Sequence, residues 1–279
     1  MHTVVVGWDR STASNAALEW ALNCARTAKI VLVQVTDADV STDAASSPGS
    51  PSMAALAAVH EDLARLREDN SHLTIDAELV SGDAVEELAR FSNETTLVVV
   101  GTDRQQGGGI RYRWSVGAKL AATAHGPIAV VPTGRNVNGG DTVVGIDGSA
   151  ASVAALEFAA SEAIRTGGTL HAVLAWQEPP VWVDATVPDA EYLRSLEKMY
   201  AELLDDSLAV LASNHPRLEV RRSLVRGPAA TVLLNAAETA RMLVVGNHGR
   251  RGVARLLLGS VSRSLVANTP CPVVVVRAR

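Results

Sequence analysis

Residues 242–260 read MLVVGNHGRRGVARLLLGS, a short apolar run followed by a glycine-bearing loop. The run predicts a buried strand that ends at Gly246, and the residues after Ser260 have the spacing of a helix. The glycines follow the pattern G-x2-G-x9-G-S between strand and helix. Glycine allows positive φ angles and a close approach to a ligand, because it has no Cβ atom. A helix that opens at a serine offers free N–H groups to an anion, so the stretch predicts a phosphate-binding loop.

This stretch lies in the second of two sequence repeats. Residues 143–149 repeat residues 5–11 at an offset of 138, and Gly246 repeats Gly101 at an offset of 145. In each copy, apolar strand-like runs alternate with helix-like segments. This alternation predicts an α/β fold with a mainly parallel sheet, helices on both faces and right-handed crossovers. We predict a first domain at residues 1–132, a linker at 133–141 and a second domain at 142–279.

Two separate segments of the second repeat, the turn at Asp147 and the loop at Gly246, are expected to meet. In an open α/β sheet, ligands bind at the carboxyl ends of the strands, where the strand order reverses. This rule places Asp147, at the end of the first strand, beside Gly246, at the end of the fourth. The Asp147 carboxylate can accept hydrogen bonds from ribose hydroxyls or from an adenine amine, or it can cap the helix that begins near Ala150. Ser260 can likewise bind a phosphate or simply cap its own helix.

The loop is not a Walker A motif, and G-x-G-x-x-G is also absent. It resembles the ATP-binding loop of the universal stress protein family, G-x2-G-x9-G-S/T, and the resemblance covers nearly the whole chain as two copies. The resemblance implies two tandem Rossmann-like (adenine nucleotide alpha hydrolase-like) domains. Each is expected to have a five-stranded sheet of order 3-2-1-4-5, and at least one to bind ATP. The residues implied at the ATP site are Gly145, Asp147, Ala175, Val245, Gly246, Gly249, Gly259, Ser260, Val261 and Ser262.

The first repeat departs from this motif. The positions that match, and that define a weaker candidate ATP site, are Asp9, Val35, Gly101 and Ser115. However, Arg104 and Trp114 replace the second and third glycines. A Cβ at Arg104 conflicts with a glycine-only backbone, and the indole of Trp114 fills space near a phosphate. We expect this site to be weak or empty; the alternative is an altered site in which Arg104 replaces backbone contacts.

The other chemistry-bearing residues predict neither a catalytic nor a metal site. His248 has no evident acid–base partner or metal-ligand spacing, so we expect a structural or stacking role. Arg250, Arg251 and Arg255 are equally consistent with phosphate binding and with solvent exposure. No Ser-His-Asp order, zinc spacing or carboxylate pair stands out elsewhere.

Composition narrows the class of protein. The 279 residues carry a net charge of −5, which argues against a nucleic-acid binder. No apolar run approaches the roughly 20 residues that span a bilayer. The chain also shows no secretory h-region or cleavage site, so we predict a cytoplasmic protein.

The leading prediction is an ATP-binding stress-response or signalling protein without strong catalysis. The alternatives are a slow ATPase and an interaction module that binds no nucleotide. Because phosphate sites often carry magnesium, ATP is expected with or without Mg²⁺, and AMP or a cyclic nucleotide stays open as the ligand. The apolar final strands, 128–131 and 273–276, are exposed-edge candidates for pairing of domains. The resemblance implies a homodimer, and the protein partner is unknown.

Overall fold

The computed structural model describes residues 3–24, 28–36, 51–103, 115–134, 140–178, 190–249, 258–268 and 270–278. Within residues 51–103, side chains are described from residue 59 onward. The chain divides into two compact units, Met1–Asn136 and Val137–Arg279. Each unit alternates strands and helices along the chain.

The first unit has five strands and four helices among its described residues. They are β1 (Thr3–Gly7), α1 (Thr12–Cys24), β2 (Lys29–Thr36), α2 (Pro51–Asp69), β3 (Ile75–Ser81), α3 (Ala84–Arg90), β4 (Thr96–Thr102), α4 (Val116–Thr123) and β5 (Ile128–Pro132). All of the strand pairings are parallel, and the spatial order is β3-β2-β1-β4-β5.

The second unit repeats this architecture. Its elements are β6 (Thr142–Ile146), α5 (Ala150–Thr166), β7 (Leu170–Trp176), α6 (Ala190–Asn214), β8 (Val220–Arg226), α7 (Ala229–Ala237), β9 (Met242–Gly246), α8 (Ser260–Asn268) and β10 (Val273–Val276). The parallel order is β8-β7-β6-β9-β10. The predicted fold class, two tandem Rossmann-like α/β domains, is confirmed.

The cores are the central strands and the helices that cover them. In β9, four successive residues from Met242 are buried. Successive side chains of a strand point to opposite faces, so burial of all four requires helices on both faces of the sheet. This double coverage explains why the central strands are near-continuous apolar runs.

A glycine at the end of β4 and of β9 sets how closely a helix approaches the sheet. A Cβ at Gly101 would lie 1.9 Å from the carbonyl oxygen of Ala13 in α1. A Cβ at Gly246 would lie 2.8 Å from the carbonyl carbon of Ala151 in α5. The first turn of each helix therefore rests directly on the strand end, and in the second unit this contact builds one wall of the cleft described next.

Candidate functional site

A cleft of about 280 Å³ opens at the carboxyl ends of β6, β7 and β9. The strand order reverses here, because β6 has β7 on one side and β9 on the other. The ten sequence-predicted residues of the second repeat all line it: Gly145, Asp147, Ala175, Val245, Gly246, Gly249, Gly259, Ser260, Val261 and Ser262. The structure thus brings together segments that lie more than 100 positions apart in the sequence.

Six further lining residues were not among the predicted set: Ile146, Ser152, Val173, Ala229, Leu233 and His248. Four of them directly neighbour the motifs or lie on the same strands. Ala229 and Leu233 lie on α7, which bears no recognisable motif. Their only sequence signal is helical apolar spacing, and that spacing is typical of any core helix.

One part of the cleft is apolar. Val173 and Ala175 come from β7, Val245 comes from β9, and Leu233 comes from α7. A Cβ at Gly145 would lie 3.0 Å from Cδ1 of Leu233, so the missing side chain at Gly145 leaves room for that leucine. An apolar recess of this kind suits a flat hydrophobic group such as a nucleobase.

Asp147 lies between the turn after β6 and the glycine loop. Its Oδ1 accepts a hydrogen bond from the backbone N–H of Ser149 at 2.9 Å. A Cβ at Gly249 would lie 2.6 Å from Oδ2, so only glycine fits beside this carboxylate. The side chain that caps α5 is Ser149, whose Oγ accepts from the N–H of Ser152 at 3.1 Å. The alternative role of Asp147, as the helix cap, is therefore wrong.

The loop glycines allow neighbouring groups to pack closely, and they are not needed for unusual backbone angles. Among the described glycines with positive φ, none is Gly246, Gly249 or Gly259, so the positive-φ explanation is wrong for all three. Gly246 accommodates α5, Gly249 accommodates Asp147, and a Cβ at Gly259 would lie 3.2 Å from the carbonyl oxygen of Asn247. Their shared property is the absence of a side chain.

The N-terminus of α8 is held against the end of β9. Gly259 N–H donates to the carbonyl of Asn247 at 2.8 Å. The hydroxyl of Ser262 donates to the carbonyl of Gly246 at 2.7 Å. Ser260, the first helical residue, is exposed. The first N–H groups of a helix lack partners within the helix, so this end offers an anion-binding surface to the cleft.

His248 completes the wall at the start of the loop. Its carbonyl accepts from Oγ of Ser149 at 3.4 Å, which ties the loop to the first turn of α5. Its Nε2 is buried and has no hydrogen-bond partner within the described ranges. Burial lowers the pKa of His248, and the positive charge of Arg277 lowers it further. The imidazole is accordingly neutral at pH 7.

The matching positions of the first repeat are only partly described. Asp9 accepts from the N–H of Ser11 at 2.9 Å. Burial acts to raise the pKa of Asp9, but hydrogen bonds from Ser11 and Ser14 together hold it below its ordinary value. Ser115 caps α4, where its Oγ accepts from Ala118 N–H. Gly101 packs against α1, and Val35 lies at the position of Ala175 in strand register. Arg104, Trp114 and residues 107–109 lie outside the described residues.

The turn after the first strand also differs between repeats. Gly148 has φ +76°, and a Cβ there would lie 2.7 Å from Cδ1 of Leu203 on α6. The first repeat places Arg10 at this position with φ 65°. Arg10 pairs with Asp62 of α2 at 2.8 Å and lies over the ring of Trp8. A bulky ion pair thus replaces the close helix contact of the second repeat.

Two other kinds of site are absent from the described part of the chain. No group of three or more His, Cys, Asp or Glu side chains there is arranged to hold a metal ion. No helix there combines the length and the apolar character needed to cross a bilayer.

Comparison with known proteins gives one consistent family. A family model described as the universal stress protein family matches residues 1–132 and 141–277. A universal stress protein of Mycobacterium tuberculosis (strain ATCC 25618 / H37Rv) is 32% identical over 295 aligned positions, covering 99% of this chain and 97% of the relative. One of Mycolicibacterium smegmatis is 31% identical and covers 100% and 98%.

Solved structures share the fold. A universal stress protein from Archaeoglobus fulgidus DSM 4304 superimposes with a TM-score of 0.72 at 19% identity, covering 99% of this chain and 98% of that one. A protein described as a putative universal stress protein from Pseudomonas aeruginosa UCBPP-PA14 gives 0.66 at 16% identity and covers 99% and 93%. At these identities the comparison speaks to the fold alone.

Proposed function

Because this chain belongs to the universal stress protein family, we propose that its second repeat binds ATP and that it acts as a nucleotide-dependent stress-response or signalling protein without strong catalysis. The observation that supports this most strongly is the cleft where Asp147, the glycine loop and the N-terminus of α8 converge. Two separate sequence motifs, the turn at Asp147 and the glycine loop with its helix start, meet in this cleft, and together they suit the three parts of a nucleotide.

The cleft offers a suitable surface for each part. The apolar recess around Ala175 and Leu233 would take the base. Asp147, beside the recess and the loop, would accept hydrogen bonds from the ribose hydroxyls. The backbone N–H groups of Ser260, Val261 and Ser262 would bind phosphate, because a helix N-terminus favours negative charge by roughly 0.3–1 kcal/mol per interaction when exposed. A magnesium ion, where bound, would neutralise part of the phosphate charge.

The side chains that line the cleft favour nucleotide binding without rapid hydrolysis. Hydrolysis needs a group that orients or deprotonates water. Among the described lining residues, the titratable side chains are Asp147 and His248. Asp147 is held by Ser149 and closed in by the loop at Gly249, and His248 has its Nε2 buried. A slow ATPase is the alternative, and product analysis during the titrations below distinguishes it.

The direct test is calorimetric titration of the full chain with ATP, ADP, AMP, a cyclic nucleotide and GTP. We expect ATP to bind at about one site per chain, with loss of binding in Asp147→Ala. Gly168→Ala is the control substitution outside the cleft, because a Cβ there comes no nearer than 3.4 Å to another residue. Absence of binding for every nucleotide would leave an interaction module as the better account.

A further inference from the structure

Two basic residues stand at neighbouring strand ends beside the loop, and the ATP proposal gives neither a role. His248 is the second residue after β9 and lines the cleft. Arg277 directly follows β10, and β10 pairs with β9 so that Val276 lies opposite Gly246. Asn247 N–H donates to the carbonyl of Val276 at 2.8 Å, which fixes the two strand ends side by side.

The surroundings of His248 keep its ring uncharged in the empty cleft. Its Nε2 is buried without a hydrogen-bond partner within the described ranges, so no acceptor there stabilises an added proton. Burial and the charge of Arg277 both lower the pKa of His248. Arg277 is half-buried, and this burial lowers the pKa of its guanidinium.

The other charged groups around this corner are few among the described residues. Asp147 is the one acidic side chain among the described residues that line the cleft, and it lies against Gly249. On α8, Arg263 is exposed, with its N–H bonded to the Gly259 carbonyl. At the start of α5, the uncharged hydroxyl of Ser149 donates to the His248 carbonyl, and Ser152 lines the cleft. The loop arginines, at 250, 251 and 255, lie outside the described residues.

We propose that His248 takes up a proton when the phosphates of a nucleotide enter the cleft, so that the site favours nucleotides with more phosphate charge and binds them more tightly at lower pH. The inference rests on the proposed function. Negative charge close to a histidine favours its protonated form. The Nε2 atom of His248 is buried, so salt screens a charge there less than it screens a fully exposed one. Contact between the ring and the phosphate is not required, since charge alone couples the two.

The first repeat lacks both residues. At the offset of 145, Asp103 stands in place of His248 and Pro132 stands in place of Arg277. A carboxylate at this position repels phosphate, and proline supplies no charge. The basic pair therefore occurs only in the repeat whose glycine motif is intact, which links it to nucleotide binding rather than to the fold that both repeats share.

The expected pH dependence follows from the direction of the pKa changes. In the empty cleft the pKa of His248 lies below the ordinary value of about 6.5. In the complex it rises, so binding takes up a proton between the two values. Affinity for ATP then falls as the pH rises through this window, by up to about tenfold per pH unit, and is flat below it.

The test is an NMR titration of the histidine side chains of the full chain, with and without saturating ATP. The His248 signal is assigned from His248→Asn. We expect the apparent pKa of His248 to rise by about one unit or more with ATP, and by less with ADP and AMP. The exposed His72 serves as the internal control and should not move. An unchanged His248 pKa in a chain saturated with ATP would overturn the inference while leaving the proposed function intact.

Calorimetry in two buffers of different ionisation enthalpy gives an independent measure of proton uptake. Phosphate itself titrates near pH 6, so the relevant quantity is the difference between wild type and His248→Asn. We expect wild type to take up more protons than His248→Asn, and Arg277→Gln to take up fewer than wild type, because its empty site no longer repels the proton. Equal uptake in wild type and His248→Asn would also overturn the inference. Failure of wild type to bind any nucleotide would overturn the proposed function and this inference together.

Discussion

At the scale of single residues, the contact between Gly249 and Asp147 is the tightest constraint in the cleft. Gly249→Ala would put a Cβ 2.6 Å from Oδ2 of Asp147, so the loop or the carboxylate must shift. We predict that ATP affinity falls about tenfold or more, because the polar contacts of the site are displaced. A tenfold loss of affinity corresponds to about 1.4 kcal/mol of binding free energy. Thermal stability should change little, because Gly249 is exposed. Wild-type affinity in this variant, measured by calorimetry beside Gly168→Ala, would contradict the assigned geometry.

A second residue-scale prediction concerns His171, which is only 8% exposed. Arg221 donates to its Nδ1 at 2.9 Å, so Nε2 carries the proton and donates to Oγ of Ser223 at 2.8 Å. Burial lowers the pKa of His171, Arg221 lowers it further, and Asp141 opposes them. The folded protein therefore prefers neutral His171, while the unfolded chain binds a proton near pH 6.5.

The sign of the effect follows directly. The contribution of His171 to the free energy of unfolding is complete above about pH 6.5 and is lost as the pH falls below it, by up to about 1.4 kcal/mol per pH unit. Urea unfolding at several pH values checks this, with His171→Gln as the variant that should flatten the slope and His72→Asn as the control that should keep it. His248 has the same sign but is partly exposed and contributes less. An unaltered slope in His171→Gln would refute the assignment.

At the scale of elements, each unit depends on a helix resting on a strand end. The Cβ of Gly101→Ala would lie 1.9 Å from a backbone oxygen, whereas that of Gly246→Ala would lie 2.8 Å from its nearest backbone atom. Overpacking typically costs about 1–3 kcal/mol, and backbone can yield less than a side chain. We predict that both variants lower the melting temperature and that Gly101→Ala lowers it more. Calorimetric scans check the ranking, and the reverse order would show that α1 yields more easily than α5.

A side-chain hydrogen bond from Ser262 helps to hold the N-terminus of α8. Ser262→Ala removes the donor to the Gly246 carbonyl and should cost about 1 kcal/mol. ATP affinity should also fall, because the helix N-terminus is then held beside the end of β9 by the Gly259–Asn247 hydrogen bond without the support of Ser262. Ser264→Ala, in the same helix, is the matched control. Equal ATP affinity in the two variants would show that the bond stabilises the fold without positioning the helix for a ligand.

The sequence was most informative where a motif coincides with a fold rule. The loop from Gly246 to Ser260 and the turn at Asp147 were predicted to meet, since both follow strands beside the point where the sheet order reverses. Leu233 was not predicted, because its helical spacing is shared by every core helix. The positive-φ role predicted for the loop glycines was wrong. Whether a glycine is needed for its φ angle or for close packing depends on neighbours such as Ala151 and Asp147, which only the folded chain brings close.

At the scale of the whole molecule, duplication has produced two units of one fold with different sites. The second keeps the motif glycines, Ala175 and the basic pair of His248 and Arg277. The first substitutes Arg104 and Trp114 for the second and third motif glycines. We therefore propose that only the second unit binds nucleotide strongly. Homodimer formation, a protein partner and a cytoplasmic location stay predictions.

The measurement that tests the central claim most directly is the nucleotide content of the chain purified without added ligand, released by denaturation and separated by chromatography. Wild type is compared with Asp147→Ala and Gly249→Val, and Gly168→Ala is the control. We predict about one ATP per chain in wild type and control, and none in the two site variants. Retention of ATP in both site variants would contradict the assignment of the cleft. A wild type that holds no nucleotide and takes up none on titration would contradict the claim itself.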